Sequence, residues 1–437
     1  MKQPKGWISR IRWQVAFFLF AGIVLIPSIR STRSAALPTS TSTFTRLHQF
    51  ALPAEPQDGT HPYGPLIEDS SGNLYGTTLS GGGSTGCGLG GCGMVFTLTS
   101  PARNERILHI FTGGTDGAVP AGGLIQDAAG NLYGTTAYGG GASACSFGCG
   151  TVFKVTTLGT ETVLYSFAGG AADGAYPEAS LIMDLAGNLY GTTFGGGSSA
   201  CPGGCGVVFK LSPTGTETVL YSFTGDTDGA NPIAGLIRDA AGNFYGTTLL
   251  RGTPGCTYSY GCGTVFELSP AGSLRVLHSF SGGADGGNPQ GGVILDASGN
   301  LYGTTAGGGA STCSGGCGVV FKLSPAGTET VLYSFTGATD GANPNSGLIE
   351  DAAGTFYGTT FNGNSLAACR AGCGTVFELS SAGTETALYD FNGGANGANP
   401  NASLIQDAAG NLYGTASAAG IYAECPTGCG TVFKLTP

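Results

Sequence analysis

Charge is what this chain has least of. Only 10% of its 437 residues are Asp, Glu, Lys or Arg, where an ordinary soluble domain carries about a quarter. His occurs four times and Trp twice, at Trp7 and Trp13. Basic residues are the scarcest charges, 17 against 27 acids, and six of them (Lys2, Lys5, Arg10, Arg12, Arg30, Arg33) fall before residue 37, a stretch with no acid. The remainder carries 11 bases against 27 acids, a net charge of −16. A surface of that sign repels phosphate backbones and anionic headgroups, which are bound through Lys and Arg patches, so nucleic-acid binding is excluded. Catalytic motifs are missing too. No Gly-x-Ser-x-Gly elbow, zinc-binding His motif or phosphate loop stands in the context its chemistry requires.

Long apolar runs are also lacking, with one exception. Trp13 to Ile26 contains only Gln14 as a clearly polar residue, yet it is shorter than the ~20 residues a helix needs to cross a bilayer. A cationic lead, this run, and the small residues Ser34, Ala35 and Ala36 predict a secretory signal peptide over residues 1–36, with an uncleaved N-terminal anchor as the alternative. Residues 37–44 read as a linker. The expected location is secreted, periplasmic or cell-surface, with no membrane insertion after cleavage.

What the chain has in excess is glycine: 81 Gly and 21 Pro stand beside 41% hydrophobic residues. That much apolar material can bury a core, so disorder is excluded and a turn-dense β chain is implied. The glycines recur at fixed phase. The tripeptide Tyr-Gly-Thr begins at Tyr75, Tyr133, Tyr190, Tyr245, Tyr302 and Tyr357, and a seventh copy at Tyr413, in steps of 55 to 58 residues. A fixed period of this size marks a repeat architecture.

Each unit offers four short strand candidates, in the third repeat Ser180 to Asp184, Asn188 to Thr192, Val207 to Leu211 and Thr218 to Phe223. They are rich in β-branched and aromatic residues. The first link, Leu185-Ala186-Gly187, suits a tight hairpin with Gly in the left-handed region, and Ser212-Pro213-Thr214-Gly215 suits a tight turn before the last strand. Tight links make antiparallel neighbours and exclude a parallel β-helix. The fold class predicted is all-β, a seven-bladed β-propeller of four-stranded antiparallel blades over residues 45–437. Thr45 to Phe50 matches the fourth strand, and the chain stops just after a third strand. An N-terminal strand that fastens the ring is therefore expected if the Leu-Ile strand is innermost; if blades begin at the Leu-Tyr-Ser-Phe strand, no exchange is needed.

The run Asp-Ala-Ala-Gly-Asn-Leu-Tyr-Gly-Thr-Thr (Asp127 to Thr136), followed by Gly-Thr-Val-Phe-Lys-Leu-Ser-Pro-x-Gly and its variants, resembles the Gloeo/Verruco (GloVer) tandem-repeat family of bacterial exported proteins, over about residues 45–437. The Asp-x-x-Gly-Asn-x-Tyr core is also similar to NHL-type and gluconolactonase-like propeller blades. The resemblance implies a propeller, export and an innermost Leu-Ile strand, and it implies no catalytic residues.

Cysteine follows the same period, one pair per repeat between the second and third strands: Cys87/Cys92, Cys145/Cys149, Cys201/Cys205, Cys256/Cys262, Cys313/Cys317, Cys369/Cys373 and Cys425/Cys429. An even count, local pairing and an export signal predict intraloop disulfides. Structural zinc needs four ligands, and each repeat supplies two with no His nearby.

Connections in an up-and-down blade alternate between faces, so the short turns share one face and the long loops, with the cysteines and an Asp-Gly motif, share the other. The motif aspartates are Asp58, Asp116, Asp173, Asp228, Asp285 and Asp340, with Asn396 in the seventh repeat. Asp226, Asp228 and Asn231 are weak calcium candidates, against an Asx-turn role that the spacing favours; no other cofactor is expected. Tyr138, Phe147, Phe194, Tyr258, Tyr260, Phe361 and Tyr422 are aromatics of the variable loops. His48, His109 and His278 take the strand position of Tyr in most other repeats, and His61 precedes a loop Pro. Catalysis needs a few unequal residues together, whereas these repeats are alike. The function expected is an exported, non-catalytic module presenting the loop face to a protein or glycan. The alternatives are a hydrolase or lyase of sugars or lactones, which would gather unique residues such as Arg251, Arg370 and Glu424 at the central channel, and a structural cell-envelope protein.

Overall fold

In a computed structural model, residues 42–50, 58–252, 256, 261–363, 369, 372–418 and 429–437 are described. They form seven antiparallel blades within the unit Thr41–Pro437. The one helical element among the described residues is a 3-10 turn at Gly88–Gly90, and no helix there is long and apolar enough to cross a membrane.

Blade 3 is representative. From the axis outward its strands are Ile182–Met183, Leu189–Thr193, Val207–Leu211 and Glu217–Ser222. The innermost strand holds only two residues, shorter than the five the sequence predicts: Ser180 lines the central channel, Leu181 packs beneath Gly191 and Asp184 belongs to the turn. The outer strand carries a β-bulge between Val219 and Tyr221, which re-aims the tyrosine that follows. Blade 7 takes its outer strand from the other end of the chain: Thr43–Gln49 pairs antiparallel with Thr431–Thr436, from Thr43 opposite Thr436 to Gln49 opposite Thr431. That strand begins inside the stretch read as linker.

The core is a belt of phenylalanines between blades. The Phe after each outer strand meets the third-strand Phe of the next blade edge to face, as Phe223 meets Phe266 with ring centroids 5.2 Å apart. Phe50 repeats this against Phe96, between blades 7 and 1, at the same 5.2 Å. Such pairs add about 0.5–1.5 kcal/mol beyond area burial. The belt explains the constancy of Tyr-Gly-Thr. A Cβ at Gly191 would lie 2.9 Å from both Phe209 Cζ and Leu181 Cδ2, so only glycine lets the third-strand ring slide under the second strand.

Candidate functional site: the loop face and the channel mouth

The short-turn face is built for structure. Asp184 Oδ1 accepts from the backbone of Ala186 and Asn188, and Oδ2 from Asn188 Nδ2 at 2.8 Å and the Tyr190 hydroxyl at 2.9 Å. Burial alone would raise this carboxyl, but those hydrogen bonds hold it down at about 2. Tyr133, in the same place in blade 2, is pushed up to about 12 by burial and by its bond to Asp127. The Asp-x-x-Gly-Asn-x-Tyr signature is thus a self-satisfied turn.

The opposite face carries the long loops. Six disulfides close there, Cys87–Cys92, Cys145–Cys149, Cys201–Cys205, Cys256–Cys262, Cys313–Cys317 and Cys369–Cys373. The seventh expected bridge, Cys425–Cys429, is not among these six, because Cys425 lies outside the described residues. Cys429 is described: it is disulfide-bonded and buried, and its carbonyl accepts from the His61 amide at 2.8 Å. Tyr258, Tyr260, Tyr422, Arg370 and Glu424 also lie outside the described residues. The bridge packs on the next long loop: a Cβ at Gly225 would come within 2.6 Å of Cys201 Sγ and 2.7 Å of Cys205 Sγ.

In the Asp-Gly loops the carboxylates serve their own turns. Asp228 accepts from the Tyr221 hydroxyl, the Thr224 amide and the Thr224 hydroxyl, and Asp340 accepts from Tyr333 and Thr336 in the same way. Asp173 takes Tyr165 and the amides of Ala168 and Gly174; Asp116 takes Thr112, and Asp285 takes Ser281. Of the calcium candidates, Asn231 sits at φ 57° and donates Nδ2 to the carbonyls of Phe194 and Gly204 in the long loop between the second and third strands of blade 3. Its carboxamide nitrogen therefore ties loops together, a geometry that suits Asn, which tolerates the left-handed region. Tyr138 packs edge-on to Phe147 and Tyr176, and Phe194 and Phe361 are half-buried. Phe147 stands out at 73% exposed.

The channel holds the feature that the sequence analysis missed. The three residues after each loop Pro, 21 in all, line one cavity of about 120 Å³ that opens to solvent. The middle residue of each triplet is Gly, Ala or Ser because space near the axis forbids more: a Cβ on Gly122 would lie 2.5 Å from the Ala179 oxygen. The first residue is different in nearly every blade: Tyr63, Ala121, Glu178, Ile233, Gln290, Asn345 and Asn401. These half-buried side chains form an asymmetric ring on an otherwise repeated scaffold, at the end of the channel where the inner strands begin, which is the loop face. Asn345 Nδ2 donates to Asn401 Oδ1 at 3.2 Å, and Asn345 Oδ1 is buried without a partner. A lack of repetition after the loop Pro was the signal available in the sequence. Arg251 stands elsewhere, bridged to Gly261 in the disulfide loop of blade 4.

A second set of groups repeats between neighbouring blades, where the outer-strand Tyr or His of one blade, the Asp of the connecting loop and the first Glu of the next outer strand converge. Burial, and then Asp340, push Glu385 up to about 8, and burial with Asp173 pushes Glu217 up to about 7. His109 Nε2 lies 3.6 Å from Asp116, and His278 Nε2 3.5 Å from Asp285. The seam between blades 7 and 1 holds His48, Asp58 and Glu105; burial, and then Arg46, press His48 down to about 4.

The model of the Gloeobacter/Verrucomicrobia repeat matches residues 142–369 and again 249–437. The chain belongs to that repeat family. No curated protein sequence matches it. Among solved structures, this family member is similar to the extracellular domain of BT3049, described as part of a hybrid two-component system of B. thetaiotaomicron, with a TM-score of 0.52 and 13% identity over 90% of this chain and 41% of that one. The extracellular domain of BT4673 from the same organism gives a TM-score of 0.51 at 13% identity, over 90% of this chain and 42% of that one. The chain thus spans less than half the length of these two solved chains, and the likeness is one of fold. A gluconolactonase of Xanthomonas campestris, XC5397, gives a TM-score of 0.38 at 14% identity over 65% of this chain and 78% of that one, too low to carry an argument.

Proposed function

We propose that this GloVer-repeat propeller is an exported, non-catalytic module that binds a protein or glycan at the mouth of its channel on the loop face. One observation carries the reading: seven near-identical repeats differ where they converge, and there they present a phenol, a carboxylate, two aliphatic side chains and three carboxamides. Selection for the scaffold alone would keep the ring uniform. A mixed set of hydrogen-bonding groups with an aromatic and an apolar member suits a ligand read by shape and polar pattern. Export is supported by the disulfides, which persist in oxidising compartments, and by the extracellular domains that share the fold.

The test is a glycan array and a pull-down of secreted proteins with the residue 42–437 chain, with and without calcium, beside Tyr63→Ala, Glu178→Gln and Leu185→Ala variants. Leu185 is fully exposed on the short-turn face. Binding should fall at least tenfold in the two channel variants and stay unchanged in the third. A ligand that survives both channel substitutions, or turnover of a bound sugar or lactone, would overturn the reading.

A further inference from the structure

Among the described residues, one group of three potential metal ligands has its donor atoms all within 4.8 Å of one another: His48, Asp58 and Glu105. It lies at the seam, and its members come from three segments. His48 is on the N-terminal strand, Asp58 in the connection to blade 1, and Glu105 on the outer strand of blade 1. We propose that this triad is a binding site for one divalent transition-metal ion of the zinc kind, which clips the N-terminal strand to the first blade.

A further observation points to a missing partner. His48 Nε2 and Glu105 Oε1 are buried and have no hydrogen-bond partner, and buried polar atoms are left unpaired only at a cost in free energy. The counterparts His109 Nε2 with Glu161 Oε1, and His278 Nε2 with Glu329 Oε1, are orphaned in the same way. What sets the seam apart among the described residues is that its His, Asp and Glu donors lie within 4.8 Å of one another.

The donor set selects the metal. One imidazole nitrogen and two carboxylates suit zinc and its first-row neighbours, with water completing the shell, and disfavour calcium, which takes oxygen ligands. Ligands about 2.1 Å from a tetrahedral ion stand about 3.4 Å from each other. His48 Nε2 and Glu105 Oε2 are already 3.8 Å apart, so modest side-chain rotation closes the site.

The experiment strips the residue 42–437 protein with EDTA and titrates Zn²⁺ by calorimetry, then follows Tm with Zn²⁺, Ca²⁺ or neither. One Zn²⁺ per chain is expected, with a rise in Tm that Ca²⁺ does not reproduce. His48→Tyr, which installs the residue most other repeats carry, and Glu105→Gln should each weaken Zn²⁺ binding at least tenfold and abolish the rise, while His278→Tyr leaves both unchanged. Should His48→Tyr fail to fold, Glu105→Gln decides alone, with the Co²⁺ form as a second measurement: its near-ultraviolet spectrum should lack thiolate charge transfer. No Zn²⁺ bound at micromolar concentration, binding that persists in Glu105→Gln, or a Co²⁺ spectrum with thiolate bands would each overturn the assignment.

Discussion

Glu385 begins the outer strand of blade 6 with its Oε1 buried and unpaired. Burial raises its pKa most, the carboxylates of Asp340, Asp390 and Glu378 raise it further, and the nearby Tyr333 hydroxyl opposes them, leaving it at about 8. A carboxyl raised above its ordinary value of about 4.3 holds its proton more tightly folded than unfolded, so its contribution is fully present at low pH and is lost as pH climbs through 8. Glu385→Gln cannot ionise. Calorimetry at pH 5 and pH 9 should therefore find the variant's Tm close to that of the parent at pH 5 and higher than it at pH 9. Equal differences at both values would mean that Glu385 is ionised in the fold. The turn aspartates run the other way: Asp184, held near 2 by its hydrogen bonds, contributes above about pH 4 and fails only in strong acid.

At the scale of the element, the disulfide loops replace a core with a covalent link. Each described pair is separated by four to six positions, and closing so short a loop removes about 2 kcal/mol of unfolded-state entropy. Replacing Cys201 and Cys205 together by serine should lower stability by about that amount, and by more if the serines are left unpaired, since Cys205 is completely buried. Thermal unfolding of the double variant measures this; alkylation of the parent should modify none of the 14 cysteines before reduction.

Elements of this kind were legible in the sequence because each announces itself locally. Cysteine spacing, Leu185-Ala186-Gly187 and the Tyr-Gly-Thr glycine are all short-range constraints, and their repetition seven times gave the blade count. The channel ring was not legible as a site, because Tyr63, Glu178 and Asn401 meet only through ring closure, over separations of more than a hundred residues. The Glu–Asp pairs between blades escaped for a similar reason: Glu217 and Asp173 stand at opposite ends of one repeat, and the Glu near the start of five of the outer strands reads in isolation as an exposed strand residue.

For the whole molecule, stability is close to a sum over neighbouring blades, since each contacts only the two beside it. The seam is then the place to look for weakness. At the six other interfaces a second-strand threonine donates to a channel carbonyl of the next blade, as Thr192 does to Ala234 at 3.1 Å and Thr304 to Ser346 at 2.7 Å. Thr415, the seventh, is buried and unpaired. What the seam keeps is the strand Thr43–Gln49 and, as at every other interface, a phenylalanine contact, here Phe50 with Phe96. Both Phe50 and Phe223 are fully buried in the same edge-to-face arrangement. If the N-terminal strand fastens the ring, Phe50→Ala should cost about 3–5 kcal/mol, as much as Phe223→Ala. If instead the strand docks weakly, the ring already opens at the seam, and Phe50→Ala will be nearly silent while Phe223→Ala is not. Denaturant unfolding of the two variants, side by side, separates these outcomes. Deleting residues 1–49 carries the same contrast to solution behaviour: a fastened ring loses its closing strand and exposes the edge of blade 7, so the truncated chain should aggregate where the parent stays monodisperse.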